Sequence, residues 1–99
     1  MRLKDSTVSL EGASWHIWLA AIITEAVLKK YGSELVLTSV NDGKHMDDSL
    51  HYKGCAFDVR TWHISGREMQ VITDLKRELG PDYDVVLEKD HLHIERDPE

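Results

Sequence analysis

Two short histidine-containing segments constrain this sequence more than any other feature. The first reads Ser-Leu-His-Tyr-Lys-Gly-Cys-Ala-Phe-Asp over residues 49–58, and the second reads His-Leu-His over residues 91–93. Together they supply the imidazoles of His51 and His93 and the carboxylate of Asp58. Zinc hydrolase sites commonly use three protein ligands and leave a fourth position for water. The sequence therefore predicts that these three residues bind one Zn²⁺ per chain.

Strand alternation gives this set of ligands a geometric basis. In segment 55–61 the apolar side chains fall on one face, so Asp58 lies on the other. In segment 91–95 the same alternation places His91 and His93 together on the face away from the core. If the two strands are neighbours, the carboxylate and the last histidine line up on the same side of a sheet.

The order Ser-x-His-x-x-Gly-x-Ala-x-Asp followed by His-x-His resembles the zinc peptidases of the D-Ala-D-Ala carboxypeptidase and L-alanyl-D-glutamate endopeptidase family. Many phage endolysins belong to this family, and the hedgehog signalling domain is a distant relative. The resemblance covers roughly residues 35–97 of this chain. It implies zinc ligation by His51, Asp58 and His93, and a zinc-dependent peptidase that hydrolyses peptide bonds in the stem peptides of peptidoglycan, as a carboxypeptidase or an endopeptidase.

The general base has two candidates. The resemblance implies a carboxylate three residues before the last ligand, and Asp90 occupies that position. Alternatively, a two-residue turn at residues 89–90 would place Glu88 directly across from His91 on the site face. Motif spacing favours Asp90 and strand alternation favours Glu88. The resemblance also implies that His91 stabilises the oxyanion.

Substrate anchoring departs from the family pattern. Many relatives have a substrate-binding arginine upstream of the first motif, and residues 4–49 of this chain contain no arginine. Lys44 or Arg60 can substitute for it, and Ser49 can donate a hydrogen bond to the substrate.

The element pattern predicts a single α+β domain over residues 1–99. We expect helices over residues 15–31 and 65–79, strands over 35–40, 55–61, 83–88 and 91–95, and stops for the helices at Gly32 and Gly80. These give about four mainly antiparallel strands with helices on one face and a zinc cleft on the other. The stripe of the first helix expected to face the core comprises Trp15, Trp18, Leu19, Ile22, Ala26 and Leu28.

The charge and composition of the chain limit which partners and which cellular locations are expected for it. The net charge of −6 disfavours nucleic acid, and the single cysteine excludes an internal disulfide. The apolar run at 15–31 is interrupted by charges and is too short to span a bilayer, and residues 1–12 lack the features of a signal peptide. We therefore expect a monomer made in the cytoplasm that reaches the bacterial cell wall through another protein's pore or as part of a phage particle.

The alternative to the peptidase function is a non-catalytic, zinc-stabilised binding module.

The ligand prediction is tested by metal analysis. Protein purified without added metal should carry close to one zinc per chain, and His51→Ala should lose it because one of three ligands is removed. His63→Ala, which changes a histidine outside both segments, is the matched control. An unchanged zinc content in His51→Ala would contradict the ligand assignment.

Overall fold

The computed structural model describes residues 1–8, 15–42 and 55–96. Two α-helices and five strands make up most of these ranges, together with a short 3₁₀ turn at Trp62–Ile64. In chain order the elements are β1 (Arg2–Leu3), α1 (Trp15–Lys30), β2 (Val36–Asp42), β3 (Cys55–Arg60), α2 (Glu68–Leu79), β4 (Tyr83–Leu87) and β5 (His91–Arg96). The strands form one sheet in the order β1-β2-β3-β5-β4.

The sheet confirms the α+β class but corrects the expected strand number and direction. It has five strands rather than about four, and it is mixed, because β1 runs parallel to β2 while the other neighbouring pairs are antiparallel. β1 contains only Arg2 and Leu3, which pair with Val36 and Leu37. A strand of two residues has no alternation to detect, so the sequence pattern could not indicate it.

Both helices end where a glycine was expected to stop them. Gly32 follows α1 with φ +71°, and Gly80 follows α2 with φ +87°. These positive values are costly for residues with a Cβ and cheap for glycine. The second helix begins at Glu68 rather than at Ser65, because the 3₁₀ turn comes first and Gly66, with φ +86°, interrupts a continuous helix.

The core lies between the helices and one face of the sheet. Phe57 and Val59 of β3 and Leu92 and Ile94 of β5 are almost completely buried on this face. They pair with each other across the two strands, Phe57 with Ile94 and Val59 with Leu92. The intervening residues of both strands therefore lie on the opposite face, away from the helices.

The expected core-facing stripe of α1 was wrong for most of its members. Trp15, Trp18, Leu19 and Ile22 are exposed, and only Leu28 of that set is buried. The buried residues are instead Ile17, Ala20, Ala21, Thr24, Val27 and Leu28. The helix is apolar on both sides, and its buried side includes the small residues Ala20 and Ala21.

The single hydroxyl in this buried stripe of α1 is satisfied within the helix. The hydroxyl of Thr24 donates to the carbonyl of Ala20 at 2.7 Å, so its burial leaves no unpaired donor. In the part of the chain that the structure describes, neither helix is long and apolar enough to cross a membrane.

The packing of α1 predicts opposite outcomes for two substitutions. Ala21 is fully buried, so Ala21→Leu should lower the free energy of unfolding by about 1–3 kcal/mol through overpacking. Trp18 is 43% exposed, so Trp18→Lys should change it by no more than about 0.5 kcal/mol. Urea unfolding of both variants measures this, and a larger loss in Trp18→Lys would favour the face originally expected.

Candidate active site

The face of the sheet opposite the helices carries the candidate site. β3 and β5 are antiparallel neighbours, with Asp58 paired with His93 and Arg60 paired with His91. All four side chains are therefore on one face, as strand alternation predicted. The expected juxtaposition of the carboxylate and the last histidine is confirmed.

His93 lies between two carboxylates. Its Nδ1 is 2.9 Å from Asp58 Oδ1, and its Nε2 is 3.1 Å from Glu95 Oε1. An ionised carboxylate only accepts hydrogen bonds, so both contacts are satisfied when the ring carries both protons. Partial burial lowers the pKa of His93, but the hydrogen bonds with Glu95 and Asp58 outweigh it, and the net shift is upward. The metal-free site thus favours an imidazolium.

His91 is held beside this pair by a second carboxylate contact. Its Nδ1 donates to Asp90 Oδ1 at 2.8 Å, and its Nε2 lies 3.8 Å from Asp58 Oδ2. The hydrogen bond with His91 lowers the pKa of Asp90, whose side chain is otherwise 75% exposed. Asp90 therefore orients the ring of His91 and is ionised at neutral pH.

The predicted two-residue turn at residues 89–90 is present. The backbone N–H of Glu88 donates to the carbonyl of His91 at 2.8 Å, which pairs these two residues and leaves residues 89–90 as the connection. Glu88 is exposed and lies across from His91, as alternation indicated. Next along β4, the partly exposed Val86 pairs with His93 and gives the site an apolar neighbour.

Two of the three predicted metal ligands meet in the described part of the chain. His51 lies outside the described residues, as do Ser49 and Lys44. Within residues 1–8, 15–42 and 55–96, no group of three or more His, Cys, Asp or Glu side chains is arranged to hold a metal ion. The ligand role of His51 therefore stays a prediction.

The donor chemistry of the pair nevertheless fits zinc. Two ligand atoms on a tetrahedral zinc are separated by roughly 3.4 Å, and the facing atoms of Asp58 and His93 are 2.9 Å apart. A small opening of this contact would accommodate the ion. Ligating histidines usually donate their second ring N–H to a carboxylate, and Glu95 is already placed to accept it.

Glu95 is the site residue that sequence reasoning missed. The predicted strand over residues 91–95 includes Glu95 but gives it no role in the site, whereas in the structure it is the fifth residue of β5 and contacts His93. The alternation of side chains along this strand could have indicated Glu95, because a residue two positions after His93 lies on the same strand face.

Comparisons with known proteins identify no relative of this chain. No family model matches it, and neither the curated proteins nor the solved structures contain a match.

The two carboxylates around His93 predict a pH effect. In metal-free protein, NMR titration should give His93 a pKa above the ordinary value, and Glu95→Gln should lower it because one partner of the imidazolium is lost. A folded-state pKa above the unfolded value stabilises the protein fully below the unfolded pKa, and the effect is lost as pH rises through the folded pKa. Glu95→Gln should therefore cost most stability in mild acid and little in alkali.

The matched control is Glu78→Gln, which removes an exposed carboxylate of α2 that pairs with Arg77. It should leave the titration of His93 unchanged. An unshifted His93 in both variants would contradict the contact with Glu95.

Proposed function

We propose that this chain is a zinc-dependent peptidase that hydrolyses peptide bonds in the stem peptides of peptidoglycan. The observation that carries the proposal is the 2.9 Å contact between Asp58 and His93 on the open face of the sheet. It joins residues from the two sequence segments that resemble the peptidase family. Contact between both segments is what a shared metal requires.

His51, Asp58 and His93 would hold one zinc ion. When bound, zinc lowers the pKa of a ligated water and polarises the substrate carbonyl. Because His93 would have to give up the proton at the ligating nitrogen, its affinity for the metal would fall in acid. Glu95 then accepts the remaining ring N–H and fixes the orientation of His93.

Asp90 or Glu88 serves as the general base that accepts the proton of the attacking water and passes it to the leaving amine. Asp90 has the motif position and contacts His91 at 2.8 Å. Its lowered pKa keeps it ionised but weakens it as a base. Glu88 lies across the turn on the site face and has the longer side chain.

His91 stabilises the developing oxyanion. Its Nδ1–H is committed to Asp90, so donation to the substrate uses Nε2, which faces Asp58 at 3.8 Å. Donating from both nitrogens requires the imidazolium form. The carboxylate of Asp90, which accepts from Nδ1, would support that form beside the oxyanion.

The proposal places the protein at the bacterial cell wall, as a monomer whose partner is a peptide rather than nucleic acid or a membrane. Arg60, on the same sheet face as Asp58, and Ser49 are the proposed substrate-binding residues. A non-catalytic, zinc-stabilised binding module is the competing function.

One experiment distinguishes the peptidase from the non-catalytic binding module. Zinc-loaded protein is mixed with a purified cell-wall suspension, and mass spectrometry identifies released peptides. A peptidase clears the suspension and gives defined fragments, and a chelator abolishes both effects. A binding module sediments with the wall and releases nothing, which would contradict the proposal.

The base assignment is tested by a pair of amide substitutions. Asp90→Asn should retain zinc while turnover falls roughly 10²–10⁴-fold, with a smaller loss for Glu88→Gln, because the amide keeps the size but cannot accept the proton. Metal content and turnover are measured on both variants, with the exposed Asp82→Asn as control. The reverse order would identify Glu88 as the base, and full activity in both would contradict the mechanism.

A further inference from the structure

The side of α1 that faces away from the core is a continuous apolar surface. Five exposed residues form it, and we call them the outer stripe: Trp15, Trp18, Leu19, Ile22 and Ala26. They recur at intervals that keep them on one side of a helix with about 3.6 residues per turn. The buried residues of α1 lie on the opposite side of the helix. The outer stripe is therefore one surface rather than a set of scattered exposed side chains.

The exposed fractions make the outer stripe large for a chain of 99 residues. Trp15 is 66% exposed, Ile22 54%, Leu19 45% and Trp18 43%. Since a fully buried aromatic side chain removes about 150–250 Å² from solvent, these four residues together expose on the order of 400 Å². The largest apolar patch on a typical monomer is about 300–600 Å² and is often functional. The size of the outer stripe thus indicates an interaction surface.

The outer stripe is complementary in shape to a second copy of itself. When two copies of α1 pack antiparallel about a twofold axis midway between Leu19 and Ile22, Leu19 of each copy faces Ile22 of the other. The same register places Trp15 opposite Ala26, so a large side chain meets a small one. Facing positions that alternate large and small residues interdigitate well. A parallel pair would instead set Trp15 against Trp15 at one end and Ala26 against Ala26 at the other.

Two lysines at the end of α1 favour the same antiparallel orientation. Lys29 and Lys30 are exposed and follow the outer stripe at the C-terminal end of the helix. A parallel pair would bring four ammonium groups together, which is unfavourable. An antiparallel pair separates the two sets of lysines by roughly 25 Å along the helix axis. Salt screens charges over about 8 Å, so repulsion across that distance is small.

We propose that the outer stripe is an interface between two copies of this chain, packed antiparallel through α1. The pairing removes on the order of 800 Å² of apolar surface from solvent, counted over both copies. Specific interfaces bury about 1,200–2,000 Å² in total, polar rim included, so this interface is at the small end of the range. We therefore expect a Kd on the order of 10–100 μM. At lower concentrations the chain remains the monomer proposed above.

Pairing through α1 leaves both candidate active sites accessible. The helices lie on one face of the sheet, and Asp58 and His93 lie on the other, so the two sites point away from the interface. A dimer therefore carries two sites that can contact separate parts of one polymeric substrate, and the first contact raises the effective concentration for the second. This consequence rests on the proposed function, whereas the interface itself does not.

Sedimentation velocity tests the interface, at concentrations from about tenfold below to tenfold above the expected Kd. The average mass should rise from one chain towards two. Trp18→Lys should weaken association roughly tenfold or more, because tryptophan carries much of the binding energy at interfaces and a buried lysine is costly. Trp62→Lys is the matched control, because it makes the same change at a tryptophan outside α1 that is 65% exposed, and it should associate like the wild type.

A mass of one chain at every concentration would overturn the dimer, and undiminished association of Trp18→Lys would overturn the outer stripe as its interface. A monomeric wild type that sediments with vesicles of anionic lipid would identify a membrane surface as the occupant instead. Hydrolysis of cell-wall peptides is measured separately, so the dimer and the peptidase function can each fail alone.

Two further variants test the antiparallel register. Leu19→Lys and Ile22→Glu each place a charge at the centre of the interface, so each variant alone should be monomeric where the wild type is dimeric. In an equimolar mixture, the introduced lysine of one copy faces the introduced glutamate of the other, and the second contact keeps its native Leu19 and Ile22. The mixture should therefore form a dimer. A mixture that associates no more tightly than either variant alone would overturn this register.

Discussion

The register between β3 and β5 is the constraint on which the rest of the structure depends. The same pairing that joins Phe57 to Ile94 in the core joins Asp58 to His93 on the open face. Because side chains alternate with a period of two, a slip of one residue would expose the core pair and bury the polar pair. Burial of apolar side chains therefore sets the geometry of the site, and the polar residues contact each other without having to specify the register themselves.

Two carboxylates on the open face of the sheet converge on one histidine. Asp58 and Glu95 both approach His93, and in metal-free protein the proton shared among them is the compensating charge. This accounts for the raised pKa of His93. A metal ion bound as proposed would compete with that proton for the same location.

The sequence alone predicted those strands and helices whose apolar residues recur with a clear period. Alternation placed Asp58 and His93 on one face because each strand has apolar neighbours on both sides of the polar residue. It failed for Trp18, since α1 is apolar all round and side-chain size was the wrong criterion for which face is buried. The sequence pattern could not indicate β1, because two residues are too few to show a period of alternation. It also gave no site role to Glu95, because a run of charged residues at this position is typical of a solvated end. His51 lies outside the described residues, so its ligand role stays a prediction.

The proposed ligands and the proton-transfer candidates lie on elements of different rigidity. Asp58 and His93 are in the middle of adjacent strands, where backbone hydrogen bonds on both sides fix their positions, whereas Glu88 and Asp90 flank a two-residue turn. Glu88 and Asp90 are two residues apart, and Asp90 contacts the ring of His91. The proposed base and the proposed oxyanion-stabilising group therefore lie at one turn. We expect a substitution in the turn to affect both proposed roles together, while Asp58 and His93 keep their positions in the strands.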